Sequence, residues 1–366
     1  MPEAKTKMKV CIVSITLSQG GAERSTALLT KMLHEEGYEV HLALLTNEID
    51  YEYQAKLFNL GLYKSNQDYP WKRFNRIRKL RNYLKQHDFD FIVDNRNRQS
   101  PVVELLYLNY VYRGFKSVYV VRSRNLDKYL TKHNWVAKHI VKKTFRIIGV
   151  SQDITKTINS KFKTEKPITI YNPIEDYQNT EVSTNFGERY ILFLGRFDEA
   201  VKNFSLLLEA YSHSKLSENA VKLYLVGDGK DKEFLAQKIQ SNHLDDYVKL
   251  FPFTPNVYPI IKNTLFLVLT SRYEGFPRVL IEALSIGTPV VSVDCQSGPS
   301  EIIQHEFNGL LVENHNPKAL AQAFDRLLLD DALYKTCKSN SQGSISHLNQ
   351  KLIASQWAKI LRHEQL

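Results

Sequence analysis

One feature of this 366-residue chain constrains its fold more than any other. Short apolar runs rich in β-branched residues recur along the sequence, and most are followed by a loop and a helical stretch. Such runs are typical of buried strands, and strands that alternate with helices form a parallel sheet covered by helices. The first example is a strand over 8–15, a glycine-containing loop, a helix that ends near Gly37 and a second strand over 38–46. The sequence therefore predicts an α/β fold.

The predicted strands form two series separated by one polar segment. The candidates are 8–15, 38–46, 89–94, 117–122, 146–150 and 168–172 in the first series, and 190–195, 221–227, 247–251, 264–270 and 289–294 in the second. Residues 172–188 contain Pro and Gly and show no periodicity, which indicates a linker. We therefore predict two Rossmann-like domains, 1–175 and 176–344, that face a cleft, and a final segment, 345–366, with one apolar helix face.

Cysteine usage and hydropathy predict a cytoplasmic protein. The N-terminus lacks the apolar stretch of a signal peptide, and no apolar run approaches the roughly 18–20 residues that span a bilayer. The three cysteines, Cys11, Cys295 and Cys337, are odd in number and have no CxxC spacing. Neither a disulfide framework nor a zinc site is therefore expected.

Charge is distributed unevenly along the chain. There are 49 Lys and Arg and 39 Asp and Glu, which gives a formal net charge of +10. Residues 1–175 hold 30 basic and 17 acidic residues, a net charge of +13, whereas the rest of the chain has a net charge of −3. This asymmetry predicts an anionic partner for the first domain: lipid headgroups, a phosphorylated ligand or nucleic acid.

The segment 270–294 contains a strand, a short loop and a helix whose start is marked by Pro277. Proline is favoured in the first helical turn, where its missing N–H costs nothing. The backbone amides of such a turn, together with the helix dipole, bind phosphate. We therefore predict an anion site at the free amides of Arg278, Val279 and Leu280.

Two carboxylates accompany this turn: Glu274 in the loop and Glu282 inside the helix. A carboxylate accepts hydrogen bonds from sugar hydroxyls, including the two of a ribose. Gly275 and Phe276, which follow Glu274, are counted with the same site. The alternative is that Glu274 is an ordinary loop charge and Glu282 a solvated helix residue, but the apolar neighbours of Glu282 favour a carboxylate placed for a partner.

Two further loops hold candidate binding residues. Arg196 follows the strand over 190–195, and Lys202 is expected to open the next helix, so both cations could neutralise a diphosphate. Gly20 and Gly21 follow the first strand and allow close approach of the backbone to a ligand. The alternatives are exposed surface charges and a plain turn, because the glycine loop matches neither G-x-G-x-x-G nor a P-loop.

Taken in order, these motifs resemble the family-four retaining glycosyltransferases of the B-type (GT-B) fold. The resemblance rests on SQGGAE, GRFD…KNF, the VGDG turn, EGFPRVLIEA, SGPSEII and FNGLLV. It is specific over 190–312 and looser over 40–170. It implies an enzyme of polysaccharide, capsule or lipopolysaccharide biosynthesis. Such an enzyme moves a hexose or N-acetylhexosamine from a nucleotide diphosphate sugar, with UDP-sugar the expected donor, to a glycan hydroxyl with retention of configuration.

The resemblance also implies individual roles. Arg196 and Lys202 would hold the donor diphosphate, Glu274 would bind hydroxyls of the donor sugar, and Glu282 would bind the ribose. The glycine loop would approach the phosphates from the opposite lobe, and the last helix would cross back onto the first domain. No D-x-D motif lies near the donor site and no His/Cys cluster is present, so no metal or other cofactor is expected to be required.

One departure from the family concerns the loop after the strand over 117–122, where many members carry a His. Arg124 occupies that position here, and arginine cannot act as a base. Arg122 and Arg124 are candidates for holding an acidic or phosphorylated acceptor, unless both are ordinary surface arginines. The departure keeps open a second hypothesis, a non-catalytic, membrane-peripheral scaffold protein with the same fold.

Two stretches of the first domain are strongly basic. Residues 71–87 hold seven Lys and Arg and residues 128–146 hold six, with no acidic residue in either. Apolar residues recur in the first stretch at the spacing of one helix face: Trp71, Phe74, Ile77, Leu80 and Leu84. We predict peripheral contact with an anionic membrane surface at the inner face of the membrane, which suits a lipid-linked acceptor. The alternatives are apolar faces that merely pack on the sheet, and nucleic-acid binding, for which no signature is present and which we do not expect.

Overall fold

The computed structural model describes residues 7–18, 20–65, 67, 69–98, 100–175 and 187–362. The chain divides into two compact units. The first unit comprises Met1–Pro173 together with Gln350–Leu366, and the second comprises Ile174–Asn349. Most of the predicted linker, 172–188, lies outside the described residues.

The first unit contains a seven-stranded parallel sheet. Its strands are β1 (Lys9–Ser14), β2 (Glu39–Leu44), β3 (Lys56–Asn59), β4 (Phe91–Asp94), β5 (Lys116–Val121), β6 (Arg146–Gly149) and β7 (Pro167–Thr169). They are ordered β3-β2-β1-β4-β5-β6-β7. The inner strands β1, β4 and β5 are almost wholly buried, as expected for a parallel sheet with helices on both faces.

In the described residues of the first unit, six helices lie between these strands. They are α1 (Gly21–Glu35), α2 (Pro70–His87), α3 (Pro101–Leu106), α4 (Asp127–Leu130), α5 (Asn134–Lys143) and α6 (Gln152–Phe162), with a 3₁₀ turn at Leu60–Tyr63 and a π-helical turn at Tyr107–Val111. The side chain of Ser151 accepts a hydrogen bond from the backbone amide of Ile154 at 3.3 Å and caps α6. The sequence predicts this cap, because a serine directly after the apolar run 146–150 is well placed to begin a helix, and the structure confirms it.

The second unit contains a six-stranded parallel sheet. Its strands are β8 (Arg189–Leu194), β9 (Val221–Val226), β10 (Val248–Phe251), β11 (Leu267–Leu269), β12 (Val290–Asp294) and β13 (Gly309–Glu313), in the order β10-β9-β8-β11-β12-β13. Its helices are α7 (Glu199–Lys202), α8 (Phe204–His213), α9 (Lys232–Ser241), α10 (Tyr258–Lys262), α11 (Arg278–Ser285), α12 (Pro299–Ile302), α13 (Pro317–Leu329) and α14 (Asp331–Ser344), followed by a 3₁₀ turn at Ser346–Leu348. The core between sheet and helices contains fully buried aromatic side chains, among them Phe193, Phe204, Phe266 and Phe324.

The last helix, α15 (Gln350–Leu361), belongs to the first unit and packs on α1. Trp357 is 4% exposed and lines a small cavity together with Leu29 and Met32 of α1. The hydroxyl of Tyr38 donates to the backbone carbonyl of Ala358 at 3.5 Å. The apolar face of the C-terminal segment is thus covered by the first unit.

Both sheets show the strand order of doubly wound Rossmann-like domains. In each, the chain builds one side of the sheet outward, returns to the centre and then builds the other side. The reversal falls between β1 and β4 in the first sheet and between β8 and β11 in the second. Loops that follow two such strands diverge and leave a crevice at the carboxyl edge of the sheet, where ligands bind.

Candidate active site

An ion pair lies at the carboxyl edge of the second sheet, next to the reversal point. The Nζ of Lys202, after β8, is 2.7 Å from Oε1 of Glu274, after β11, and their side chains are only 17% and 14% exposed. The hydroxyl of Ser271 donates to the same oxygen at 2.6 Å. Among the described residues, no hydrogen bond reaches Oε2 of Glu274. One carboxylate oxygen is therefore fixed while the other can accept a hydrogen bond from a ligand.

The position of Lys202 differs from the one predicted. Lys202 is the last residue of the single-turn helix α7, and Asn203, with φ 54°, separates α7 from α8. The prediction that Lys202 opens the next helix is wrong, because the left-handed Asn203 ends one helix before the next begins. The hydroxyl of Thr270 donates to the Lys202 carbonyl at 2.8 Å, and the amide of Arg272 donates to the Val201 carbonyl at 2.8 Å. These bonds attach α7 to the end of β11.

Arg196 lies in the loop that follows β8, and its side chain is exposed. Two glycines of the neighbouring turn touch this loop: a Cβ on Gly227 would lie 1.9 Å from the carbonyl oxygen of Gly195, and one on Gly229 would lie 2.4 Å from that of Phe197. Glycines in a tight turn predict close approach of the backbone to a ligand, and for this turn that expectation stays a prediction. In the structure both glycines allow the turn to contact the Arg196 loop.

The helix start predicted as an anion site is present, with one correction. Pro277 is the N-cap residue of α11, and the amide of Leu280 donates to the Pro277 carbonyl at 3.2 Å. The prediction of a free amide at Leu280 is therefore wrong, because the first turn closes on itself. The amides of Arg278 and Val279 remain the first two of the helix.

Glu282 is buried and paired. It is 4% exposed, and its Oε1 lies 3.2 Å from both Nε and Nη2 of Arg278, one helical turn earlier. Glu282 is therefore not a solvated helix residue. The neighbouring apolar side chains exclude water, and a carboxylate buried in this way needs a cationic or hydrogen-bonding partner.

Gly275 and Phe276 follow Glu274 in the loop after β11, and this loop contacts the segment after β12. The Gly275 carbonyl accepts a hydrogen bond from the Ser297 hydroxyl at 2.8 Å, and Phe276 is 4% exposed. Gly298, with φ 102°, is close-packed, since a Cβ there would lie 2.5 Å from Cδ of Pro277. These contacts fix the loop that carries Glu274.

The predicted glycine loop of the first unit leads into α1. Gly20 is the N-cap residue of α1 and Gly21 is its first residue. The Gly20 carbonyl accepts from the amide of Arg24 at 3.0 Å, and the Gly21 carbonyl accepts from the hydroxyl of Ser25 at 2.8 Å. Their predicted contact with phosphates stays a prediction.

The two arginines after β5 have different surroundings. Arg122 is partly buried and donates to Oδ1 of Asn172 at 2.8 Å and to Oδ1 of Asn95 at 3.3 Å. Arg124 forms an ion pair with Asp153 at 2.7 Å, and its side chain is 29% exposed. Arg122 is therefore not an ordinary surface arginine, whereas much of the charge of Arg124 is balanced by its carboxylate neighbour.

A buried ion cluster follows β4 and was not predicted. Arg96 pairs with Asp94 at 2.8 Å and with Glu104 at 3.1 Å, and Arg98 lies 3.2 Å from Asp94. The hydroxyl of Tyr112 donates to Asp94 at 3.0 Å. The signal for this cluster was the polar run D-N-R-N-R directly after an apolar strand.

Burial and charge act in opposite directions inside this cluster. Burial opposes ionisation of Asp94, but the guanidinium groups of Arg96 and Arg98 outweigh it and lower the pKa of Asp94 to about 2. For Glu104 burial dominates and raises the pKa, although Arg96 opposes this effect. The cluster is thus built around the ionised form of Asp94.

Two kinds of feature are absent from the described part of the chain. No three His, Cys, Asp or Glu side chains within it are grouped as a metal site would require. No helix within it has the length and hydropathy of a membrane span.

Comparisons with known proteins agree with this fold. The family model Glycosyltransferase Family 4 matches residues 19–177, and the model Glycosyl transferases group 1 matches residues 177–344. An uncharacterized glycosyltransferase of Haemophilus influenzae is 25% identical over 360 residues, which cover 94% of this chain and 97% of the relative.

Two further proteins are similar over nearly their whole length. The N-acetylgalactosamine-N,N'-diacetylbacillosaminyl-diphospho-undecaprenol 4-alpha-N-acetylgalactosaminyltransferase of Campylobacter jejuni is 27% identical over 379 residues, which cover 96% of this chain and 99% of that protein. The crystal structure of Anabaena Alr3699/HepE in complex with UDP and glucose has a TM-score of 0.80 at 19% identity, covering 97% of this chain and 100% of that one.

The architecture defines the class: two doubly wound α/β domains in one chain, the second with a cation–carboxylate site at its reversal point. The two family matches extend this class to a named family. The chain belongs to the GT-B glycosyltransferases, with a Glycosyltransferase Family 4 first domain and a group 1 second domain.

Proposed function

We propose that this glycosyltransferase moves a hexose or N-acetylhexosamine from a UDP-sugar to a hydroxyl of a lipid-linked glycan, with retention of configuration, in bacterial surface-glycan biosynthesis. The observation that carries the proposal is the Lys202–Glu274 pair at the reversal point of the second sheet. The names of two similar proteins support it: one structure holds UDP and glucose, and one relative is a transferase named for an undecaprenol-linked acceptor.

The proposed roles are those that the resemblance implies, and the geometry of the second unit supports them. Lys202 and Arg196 stabilise the negative charge that develops on the leaving diphosphate, together with the first amides of α11. Glu274 accepts hydrogen bonds from hydroxyls of the donor sugar through Oε2, because its other oxygen already accepts from Lys202 and Ser271. Glu282, already buried for a polar partner, accepts the ribose hydroxyls. A preorganised site of this kind needs little covalent chemistry from the protein.

The test of the donor site is a thermal-shift screen of the protein against UDP, GDP, ADP and CMP, repeated on Arg196→Ala. A ligand that binds only the folded state raises the melting temperature by mass action. We expect UDP to raise Tm and the shift to shrink or vanish in the variant. If none of the four nucleotides stabilises the wild type, the donor assignment is wrong.

The scaffold hypothesis is tested separately with Glu274→Ala. A scaffold protein keeps its function in cells without this carboxylate, whereas the enzyme loses it. Arg124 is the departure that motivates the scaffold hypothesis, but the paired Lys202 and Glu274 favour an enzyme. Retention is checked on the isolated product, whose anomeric coupling constant in NMR must match that of the donor.

We further propose that catalysis requires no metal, because the charge of the leaving group is met by side-chain cations and helix amides. Transfer should continue after exhaustive dialysis against EDTA. A loss of activity that Mg²⁺ or Mn²⁺ restores would overturn this point.

We propose that the basic face of the first unit rests on an anionic membrane surface at the cytoplasmic side. Leu80 and Leu84, in the C-terminal half of α2, are buried. In that half of the helix the apolar face packs on the unit and is not available to a membrane. Trp71 and Phe74 in the first turns are 64% and 51% exposed, and Trp135 of α5 is 64% exposed. Exposed aromatic side chains among lysines and arginines are typical of interfacial helices.

Vesicle co-sedimentation tests this surface. We expect the protein to bind vesicles that contain about 30% phosphatidylglycerol and to bind them more weakly at high salt. The double variant Trp71→Ser/Phe74→Ser should lose this binding. Phe234→Ser is the control, because Phe234 is a comparably exposed aromatic on the second unit, at 41%. Equal binding of both variants, or tighter binding to duplex DNA than to vesicles, would contradict the membrane assignment.

A further inference from the structure

Asn95 carries a buried hydrogen-bond donor that has no partner within the described part of the chain. It follows β4 and is 7% exposed. Its Oδ1 accepts from Arg122, but no acceptor among the described residues reaches its Nδ2. A buried amide donor without a partner is unfavourable, and native proteins retain one where a ligand or a bound water completes it.

The surrounding structure prevents Asn95 from turning to solvent. Its backbone amide donates to the carbonyl of Val13 at 2.9 Å, which continues the pairing of β1 with β4. The residues on either side, Asp94 and Arg96, are locked together by the buried ion pair at 2.8 Å. These contacts fix the backbone at Asn95, and the hydrogen bond from Arg122 holds its side-chain oxygen.

The position of Asn95 is the one at which a sheet of this topology binds ligands. The strand before it, β4, meets β1 at the reversal point of the first sheet, and the Gly20 loop follows β1. Arg122 follows β5, the next strand along the same edge. A few fixed polar groups at such an edge are typical of a binding site.

We infer that Asn95 is an acceptor-recognition residue whose Nδ2 donates to a hydroxyl oxygen of the acceptor sugar. This inference rests on the proposed function. The four buried charges next to Asn95 balance, with Asp94 and Glu104 against Arg96 and Arg98. Arg122 adds one positive charge at Oδ1, so inorganic phosphate is tested beside the sugar. Asn95 recognises the acceptor, and it also positions Arg122.

The first measurement is direct and does not need the natural acceptor. Full-length protein labelled with ¹⁵N-asparagine is titrated with the methyl α-glycosides of N-acetylgalactosamine and N-acetylglucosamine, and with inorganic phosphate in a separate arm. The side-chain amide signal of Asn95 is assigned by its absence in Asn95→Ala. We expect a glycoside to shift this signal and phosphate to leave it in place.

The second measurement separates recognition from positioning. Asn95→Asp keeps the oxygen that accepts from Arg122 and removes the donor, so a residue that only positions Arg122 tolerates the change. We expect the Kd for the glycoside to rise about tenfold in Asn95→Asp as well as in Asn95→Ala, the loss typical of one hydrogen bond. An unchanged Kd in Asn95→Asp would overturn the inference.

Failure of this inference can be told apart from failure of the proposed function. The thermal shift with UDP reports on the second unit and should be the same in wild type and both variants. A normal UDP shift with an Asn95 signal that no glycoside moves overturns the recognition role alone. A signal moved by phosphate only would assign the site to an anion instead of a sugar.

Discussion

At the scale of single residues, the candidate site depends on pairs of charges that the fold brings together from distant parts of the sequence. Lys202 and Glu274 are 72 positions apart, yet their charged atoms are 2.7 Å apart. The pair orders one carboxylate oxygen and keeps a cation at the proposed donor site.

We expect Lys202→Ala to lower the transfer rate by about 10² to 10³, the usual cost of removing one preorganised charge-stabilising group. Steady-state transfer from a UDP-sugar measures it, with UDP thermal shifts as a second readout. Lys230→Ala is the matched control, since Lys230 also pairs with a carboxylate but is 65% exposed. A rate within twofold of wild type in Lys202→Ala would remove this lysine from the mechanism.

A second residue-scale prediction concerns the buried cluster. Asp94→Asn leaves Arg98 buried without a carboxylate and leaves Arg96 with Glu104 alone, so we expect a loss of about 3–5 kcal/mol in the free energy of unfolding. Urea unfolding at pH 7 measures this loss, with the exposed Glu165→Gln as the control.

The ion pairs of Asp94 also make the free energy of unfolding depend on pH. The pKa of Asp94 is lowered to about 2 in the folded protein, below the value of about 3.9 in an unfolded chain. Its contribution is therefore present above about pH 4 and is lost as the pH falls toward 2. The difference in stability between wild type and Asp94→Asn should shrink over that range, and a difference independent of pH would be inconsistent with an ion pair.

At the scale of helices and loops, local chemistry decides where elements begin and how closely they approach. The side chain of Ser151 completes the first turn of α6, and its identity as a cap was readable from the sequence. We expect Ser151→Ala to cost about 1 kcal/mol of stability. Ser160→Ala, on the exposed side of the same helix, should be neutral, and thermal unfolding of both variants distinguishes a cap from a general effect of losing serine.

The close packing of Gly227 against the loop that carries Arg196 leads to a further prediction. A Cβ there would lie 1.9 Å from the carbonyl oxygen of Gly195, so Gly227→Ala must displace the loop that carries Arg196. We expect a destabilisation of about 3 kcal/mol together with weaker UDP binding. Gly343→Ala is the control, because a Cβ there meets no atom within 4 Å. Equal behaviour of the two variants in denaturant titrations would exclude a packing role for Gly227.

At the scale of the whole molecule, the first unit is completed by α15, the last helix of the chain. Trp357 is buried against that unit, 4% exposed, whereas Leu352 of the same helix is 49% exposed. We expect Trp357→Ala to cost about 3–5 kcal/mol and Leu352→Ala to be nearly neutral. Hydrogen exchange should show faster exchange in β1 and α1 of the Trp357 variant and unchanged exchange in β8 and β11; loss of protection in both units alike would contradict this assignment.

The alternation of apolar runs, loops and helices was sufficient to predict two α/β domains and eleven of the strands, because a buried parallel strand needs a continuous apolar run. Among the described residues the alternation missed two strands, β3 and β13, which lie at the ends of their sheets. β3 is largely exposed and has no continuous apolar run, whereas the apolar run in β13 is short, 309–312. Tertiary structure alone decided the pairing of Lys202 with Glu274 and the contact of Asn95 with Arg122. Local patterns report which residues leave water, whereas contacts between side chains after different strands depend on strand order. Strand order is set by packing between residues far apart in the chain.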